Sequence, residues 1–344
     1  MIYYKYVDKM ENENIQINYS QDWKAYNKAQ TQEKILFLEF LHDLTSQIPK
    51  QIKKRRGRPT LDVGDMIFCC CLKIYLDFSS RRTEGDIKLA YNLGYIDHVP
   101  HFNTVLNYLN NPKLKPYLTK LIQLSALPLK DFEKTFTVDA TGFSTSMYSR
   151  WLNIRASHKM KVINIRKYMK CHIMSGSITN IITHVEVTHQ NVHDAKMFPD
   201  LVDITAENFD MREVCADKAY MSRKNFEIVA NHGGIPYIPF KTNSISRAGR
   251  VAMWHTMYHF FIEHHDEFMK HYHQRSNVES VFSSIKRKFG SYLRTRNLIA
   301  CSNEILCKCL VHNICVLIQE MFTLGIQINF EENAPLIFCA KSKR

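Results

Sequence analysis

The sequence predicts an all-α region up to about residue 130, followed by a mixed α/β domain built on five strands. Three observations lead there. The apolar period changes near residue 130, from the 3.6 of helices to the 2 of strands. Downstream, the segments arrive as three adjacent strands, a helix, a strand, a helix, a strand and then a long helix. At 344 residues, with 45% apolar and only 23% charged side chains, the chain has enough core for about two folded domains. The expected division is 1–130, 131–325 and a tail at 326–344.

Residues 1–20 are polar and aromatic without a period and read as a loose lead-in. From Trp23 to about Leu44, the positions of Ile35, Leu36, Leu38, Phe40 and Leu41 support a helix, and Pro49 ends any continuation. LDVGDMIFCCCLKIYLDFS makes the next helix. Thr83 to Leu93 makes another, with Thr83 expected as its N-cap, Asp86 at N3 and Gly94 as its stop. After the Pro100 break, FNTVLNYLN forms one more, with Asn103 and Thr104 near its start. Helix, Gly-containing turn, helix is the outline of a helix-turn-helix unit, though a plain helical bundle shares it.

In KTFTVDATGF, Phe136 and Val138 alternate with Thr137 and Asp139, and the strand is expected to stop at Gly142. Further strands are expected in YMKCHIMSG, near 167–175, and in IITHVEVT, 181–188. DAKMFPDLVDITAEN reads as a helix begun at Asp194, and MREVCADKAY as a strand with Asp217 at its C-terminal end. SRKNFEIVANHGG is a helix closed by glycines, and IPYIPF is the last short strand. Between Lys241 and Tyr272 lie loops and some helices rich in His, Trp and Phe.

Lys and Arg outnumber Asp and Glu by 46 to 33, a formal +13, which favours a polyanionic partner: nucleic acid first, a membrane surface second. MIYYKYVDKMENEN has no apolar targeting core, and no run is expected to reach the 18 or so residues of a membrane span. A soluble, intracellular protein with no membrane partner is the expectation. The ten cysteines fit a reducing compartment. Cys301, Cys307, Cys309 and Cys315, near His312, share one helical pattern and lack a loop-borne Cys-x2-Cys, so buried thiols are the preferred reading over zinc.

The densest basic run is KQIKKRRGRPT, residues 50–60, and within it Arg55, Arg56 and Arg58 are candidate DNA contacts. Its Arg-Gly-Arg-Pro core resembles a minor-groove hook, and a solvated basic linker is the equal alternative. Together with the helix-turn-helix outline, the run makes the N-terminal region a candidate DNA-binding region.

One stretch gathers unlike charges. On a helix at 100° per residue, Tyr272, Arg275, Glu279 and Lys286 fall within roughly 60° of one another. Val278, Val281, Phe282, Ile285 and Phe289 fill the sector beside them. The bland reading is a solvated i,i+4 pair of Arg275 and Glu279, worth a few tenths of a kcal/mol. A stripe along the edge of the apolar face points instead to a carboxylate aimed into a cleft, with cations placed for an anionic substrate. Asp139 and Asp217 stand at two strand ends, where an aspartate taken alone is more often a turn or cap residue.

The spacing Tyr272-x2-Arg275-x3-Glu279-x6-Lys286 resembles the Tyr–Arg–Glu–Lys signature of one group of insertion-sequence transposases of the Asp–Asp–Glu type. VDATGF, ADKAY and PYIPFK resemble blocks of the same family. The resemblance runs from Thr135 to the helix after Lys286, well over half the chain. It implies an RNase-H-like, retroviral-integrase-like catalytic domain. It further implies that Asp139, Asp217 and Glu279 are the catalytic residues and hold Mg²⁺ or Mn²⁺, two ions roughly 4 Å apart. The implied partners are transposon ends and target DNA, with a homodimer in the synaptic complex. Arg275 and Lys286 would contact phosphates, and Tyr272 would bond a phosphate or stack on a base. Lys218, Arg287, Lys288, Arg294 and Arg296 would extend a basic track, or else form a solvated face. In some relatives a large domain inserted before the Glu helix helps form a DNA hairpin. Only about thirty residues separate Phe240 from Tyr272 here, too few for such a domain, and the cutting pathway stays open. His255, His259, His264, His265, His271 and His273 read as solvated or DNA-facing rather than as a second metal site. Two rival readings remain: an RNase-H-like nuclease without strand transfer, and a non-catalytic DNA-binding descendant.

Overall fold

The computed structural model describes residues 22–49, 61–145, 168–246 and 251–338. The basic run with Arg55, Arg56 and Arg58, and the lead-in at 1–20, lie outside them. The first helix, α1 (Trp23–Ser46), starts where the Asp22 carboxylate accepts the N–H groups of Lys24 and Ala25. Asp62 does the same for Gly64 and Asp65 at the start of α2 (Val63–Leu76).

The cap expected at Thr83 is not there. The helix α3 (Ser80–Asn92) begins three residues earlier, after Ser79, and Thr83 is buried with its hydroxyl donating back to the Ser79 carbonyl. Gly94 does stop α3: at φ +82° it lets its own N–H reach the Tyr91 carbonyl and that of Tyr95 reach Ala90. His101 caps α4 (Phe102–Leu109). A further helix, α5 (Leu114–Ala126), lies in the stretch of the all-α region to which no separate element was assigned from sequence. Pro116 falls in its first turn, where a missing N–H breaks no helical bond.

The sheet has the order β3-β2-β1-β4-β5. β1 (Thr135–Ser144) lies antiparallel to β2 (Tyr168–Gly176), which is antiparallel to β3 (Ile182–His189). On its other side β1 runs parallel to β4 (Glu213–Ala216), and β4 parallel to β5 (Ile235–Tyr237). α6 (Phe198–Ala206) precedes β4 and α7 (Arg223–Asn231) follows it. β1 does not stop at Gly142. Its outer half stays paired to β2 as far as Ser144, so Asp139 sits in mid-strand. Its partner β4 ends at Ala216, opposite Val138, so Asp139 is still the first residue past the parallel pairing. Thr137 is buried like its neighbours, its hydroxyl bonded to Ser175.

After β5 come α8 (Ala252–Glu263) and α9 (His265–Tyr272). The expected single helix from Tyr272 to Lys286 is divided: α9 ends at Tyr272, a 3-10 turn spans His273–Arg275, and α10 (Ser276–Phe289) follows. α10 packs on β1, burying Val278, Val281, Phe282, Ile285 and Phe289.

The long α11 (Leu298–Leu324) overturns the expectation that no run approaches a membrane span, since it is long and apolar enough by length and composition. It is instead the middle of the core, packed on α1, α2, α5 and β3. Three of its buried polar side chains tie it to other parts of the chain. Asn303 donates to the carbonyls of Leu109 and Asn111, Asn313 to Ser125 and Ile182, and Lys308 to Gly290 and Tyr292. Cys301, Cys307 and Cys309 are buried thiols in the same helix, as are Cys69, Cys70 and Cys71 in α2. A short α12 (Ala334–Phe338) packs back on α5.

Candidate active site

The register Val138↔Ala216 between β1 and β4 brings the next residue of each strand, Asp139 and Asp217, to the same end of the parallel pair. Asp217 turns out of the sheet at once, capping a 3-10 turn (Lys218–Tyr220) with a 2.7 Å bond from the Lys218 N–H. Asp139 accepts the N–H of Ala140 at 2.8 Å. The 3-10 turn before α10 then delivers Arg275 between the acids. Its guanidinium donates to Asp139 Oδ2 at 3.1 Å and to Glu279 Oε1 at 2.9 Å. The Tyr272 ring lies 6.0 Å from the same guanidinium. Burial pushes the Asp139 carboxyl above its usual range; Asp217 and Glu279 push the same way, while the Ala140 N–H and Arg275 oppose them.

Thr141 lies two residues beyond Asp139 on the same side of β1. Its hydroxyl accepts from Lys286 Nζ at 2.5 Å, and the ammonium stands 5.5 Å from the Phe143 ring. Burial lowers the Lys286 pKa. The expected quartet is thus gathered here, with Thr141 added, a residue that period-2 reading from Asp139 could have found. Asp194 is another addition. It bonds Lys170 at 2.9 Å, lies 3.8 Å from buried His172, and with Asp139 and Asp217 raises the already buried Tyr220 phenol further.

The basic track is broken. Lys288 is ion-paired to Glu33 and Arg294 to Asp77, while Lys218, Arg287 and Arg296 are exposed. Of the histidines, the His255 and His259 rings lie 4.5 Å apart at a tilt of 41°, His259 bonds Glu263 and Ser246, and His271 bonds Glu213.

Three carboxylates form a hard oxygen donor set, which suits Mg²⁺ or Mn²⁺ in chemistry. In spacing they are gathered around a guanidinium: among the described residues no three His, Cys, Asp or Glu side chains are close enough to hold one ion. Glu279, on the first turn of α10 with a side chain 62% exposed, is the member with freedom to turn inward.

A mixed five-stranded sheet of this order, with acids from its two central parallel strands and a third on the helix packed across them, fits an RNase-H-like α/β fold. The model of the transposase DDE domain matches residues 130–314, more than half of the chain, and the chain belongs to that family. Comparison with curated proteins and with solved structures gives no match. Membership supports a transposase function and implies a metal-dependent nuclease or transferase, with DNA as partner.

Proposed function

We propose that the chain is an insertion-sequence transposase of the Tyr–Arg–Glu–Lys group, which binds the terminal inverted repeats of its element, cuts at the ends and joins the 3′-OH ends to target DNA. The register that sets Asp139 beside Asp217 beneath the Glu279 helix carries this reading. Asp139, Asp217 and Glu279 would hold two Mg²⁺ or Mn²⁺ ions, which when bound activate the attacking oxygen and stabilise the leaving one. The chain's own cations orient the backbone. Lys286 meets a phosphate as a point charge, and Arg275 has the planar fork to exchange a carboxylate for a phosphate. Tyr272, beside that guanidinium, would bond a phosphate or stack on a base, and exposed Lys218 would extend the contact.

End recognition is assigned to residues 50–110. Arg81 packs over the Phe102 ring at 4.9 Å, linking α3 to α4. The segment between these helices is longer than the three or four residues of a tight helix-turn-helix, so the basic run at 50–60 is given the larger share of phosphate contact. A homodimer in the synaptic complex and residence in the cytoplasm belong to the same proposal.

The test is an end-joining assay with the full chain, a duplex carrying the terminal repeat, a target plasmid and Mn²⁺. Wild type is expected to join ends, and Asp139→Ala, Asp217→Ala and Glu279→Ala to bind them without cutting. Cutting without joining would favour the nuclease reading. Cutting near the wild-type rate by any one variant would remove that acid from the site.

A further inference from the structure

We propose that Thr141 is a positioning residue that aims the Lys286 ammonium at the DNA phosphate next to the acids. This rests on the transposase reading, and its support is local. A strand places every second side chain on one face, roughly 6.6 Å apart, so Thr141 stands one step along β1 from Asp139. Lys286 reaches it from α10, and the Thr141 hydroxyl is the acceptor of its hydrogen bond.

The pairing of Lys286 separates it from its neighbours. Arg275, Lys288, Lys170 and Arg294 each have a carboxylate partner. Among the described residues no carboxylate lies within ion-pair distance of Lys286. Among the described residues this half-buried amine is bonded to a neutral hydroxyl, which leaves its other N–H donors for an anion. Leaving a desolvated cation without a counter-charge is costly, so a site that does so has an anion as its natural occupant. Phe143, two residues further along the same strand face and fully buried, fixes the other side of the ammonium at 5.5 Å. Threonine suits the task because its β-branch holds χ1, and therefore the acceptor, in one direction.

Because Thr141 acts through Lys286, a double-mutant cycle tests it. The readout is affinity of the full chain for a terminal-repeat duplex, titrated against salt in EDTA so that no cutting intervenes. Lys286→Ala is expected to weaken binding roughly tenfold and to lower the magnitude of the log K versus log salt slope by about one. Thr141→Val, which keeps the shape and removes the acceptor, is expected to weaken binding by a large part of that factor. Thr141→Ser is expected to restore most of it, and the double variant to bind no worse than Lys286→Ala alone. Additive losses, Thr141→Ser as weak as Thr141→Val, or Lys286→Ala without effect would each overturn the proposal. If wild type fails to cut or join while this cycle holds, the transposase reading falls and the anion-positioning pair stands.

Discussion

Arg275 is the residue on which the acid site turns. It occupies two of the three carboxylates at once, so a divalent cation must compete with a guanidinium for Asp139 and Glu279. Replacing Arg275 by Gln is expected to tighten Mn²⁺ binding by the DNA-free protein several-fold, measured by the free-Mn²⁺ signal in electron paramagnetic resonance. Unchanged affinity would mean that Glu279 turns away at no cost. Arg275→Lys is expected to remain harmful to end binding, because an ammonium cannot reproduce the fork. The Arg275–Glu279 spacing was legible in the sequence, since i,i+4 neighbours face one another on any helix. The contact to Asp139 was not, because it depends on how a helix crosses a strand far away in the chain. His312 carries a pH dependence. It donates from Nε2 to the Asn180 carbonyl, and burial lowers its pKa from 6.5 to about 4. Between those values the unfolded chain binds a proton that the folded chain refuses, so stability is full above pH 6.5 and falls as pH drops towards 4. The full effect is on the order of 3 kcal/mol. His312→Gln should therefore lose less melting temperature than wild type between pH 7.5 and pH 5.

At the scale of elements, strong periodicity located the helices and strands, and their ends went astray for local reasons. Ser79 took the start of α3 because Ser80, Arg81 and Arg82 add a full turn ahead of Thr83. β1 outran Gly142 because a strand ends where its longer partner does, and β2 is that partner. The turn joining β2 to β3 shows how tightly such an end is set. Glu133, fully buried, accepts from the N–H groups of Ile178 and Thr179 and from the Thr179 hydroxyl. A Cβ on Gly176 would stand 2.1 Å from its carboxyl carbon. The carboxylate cannot swing aside without leaving buried donors unpaired, so Gly176→Ala is expected to cost roughly 3 kcal/mol or more. Chemical denaturation would measure it, and a loss under about 1 kcal/mol would show that the hairpin yields.

At the scale of the molecule, the change of period at residue 130 is real, yet the helices before it and the sheet after it share one hydrophobic core. Composition alone could not reveal this, because the element that joins the two regions, α11, is written near the other end of the chain. Its hydropathy also made it the one described helix that a membrane could claim. Synthesis runs from N-terminus to C-terminus, so α1, α2, α5 and β3 are all complete before α11 leaves the ribosome. The segments that cover this helix in the folded chain are therefore made before it. A circular permutant that begins at α11 would reverse that order, and its partition into the membrane fraction is the expected result. A permutant that partitions as the natural order does would show instead that Asn303, Glu304, Lys308 and Asn313, four polar side chains in one apolar helix, set its partition unaided.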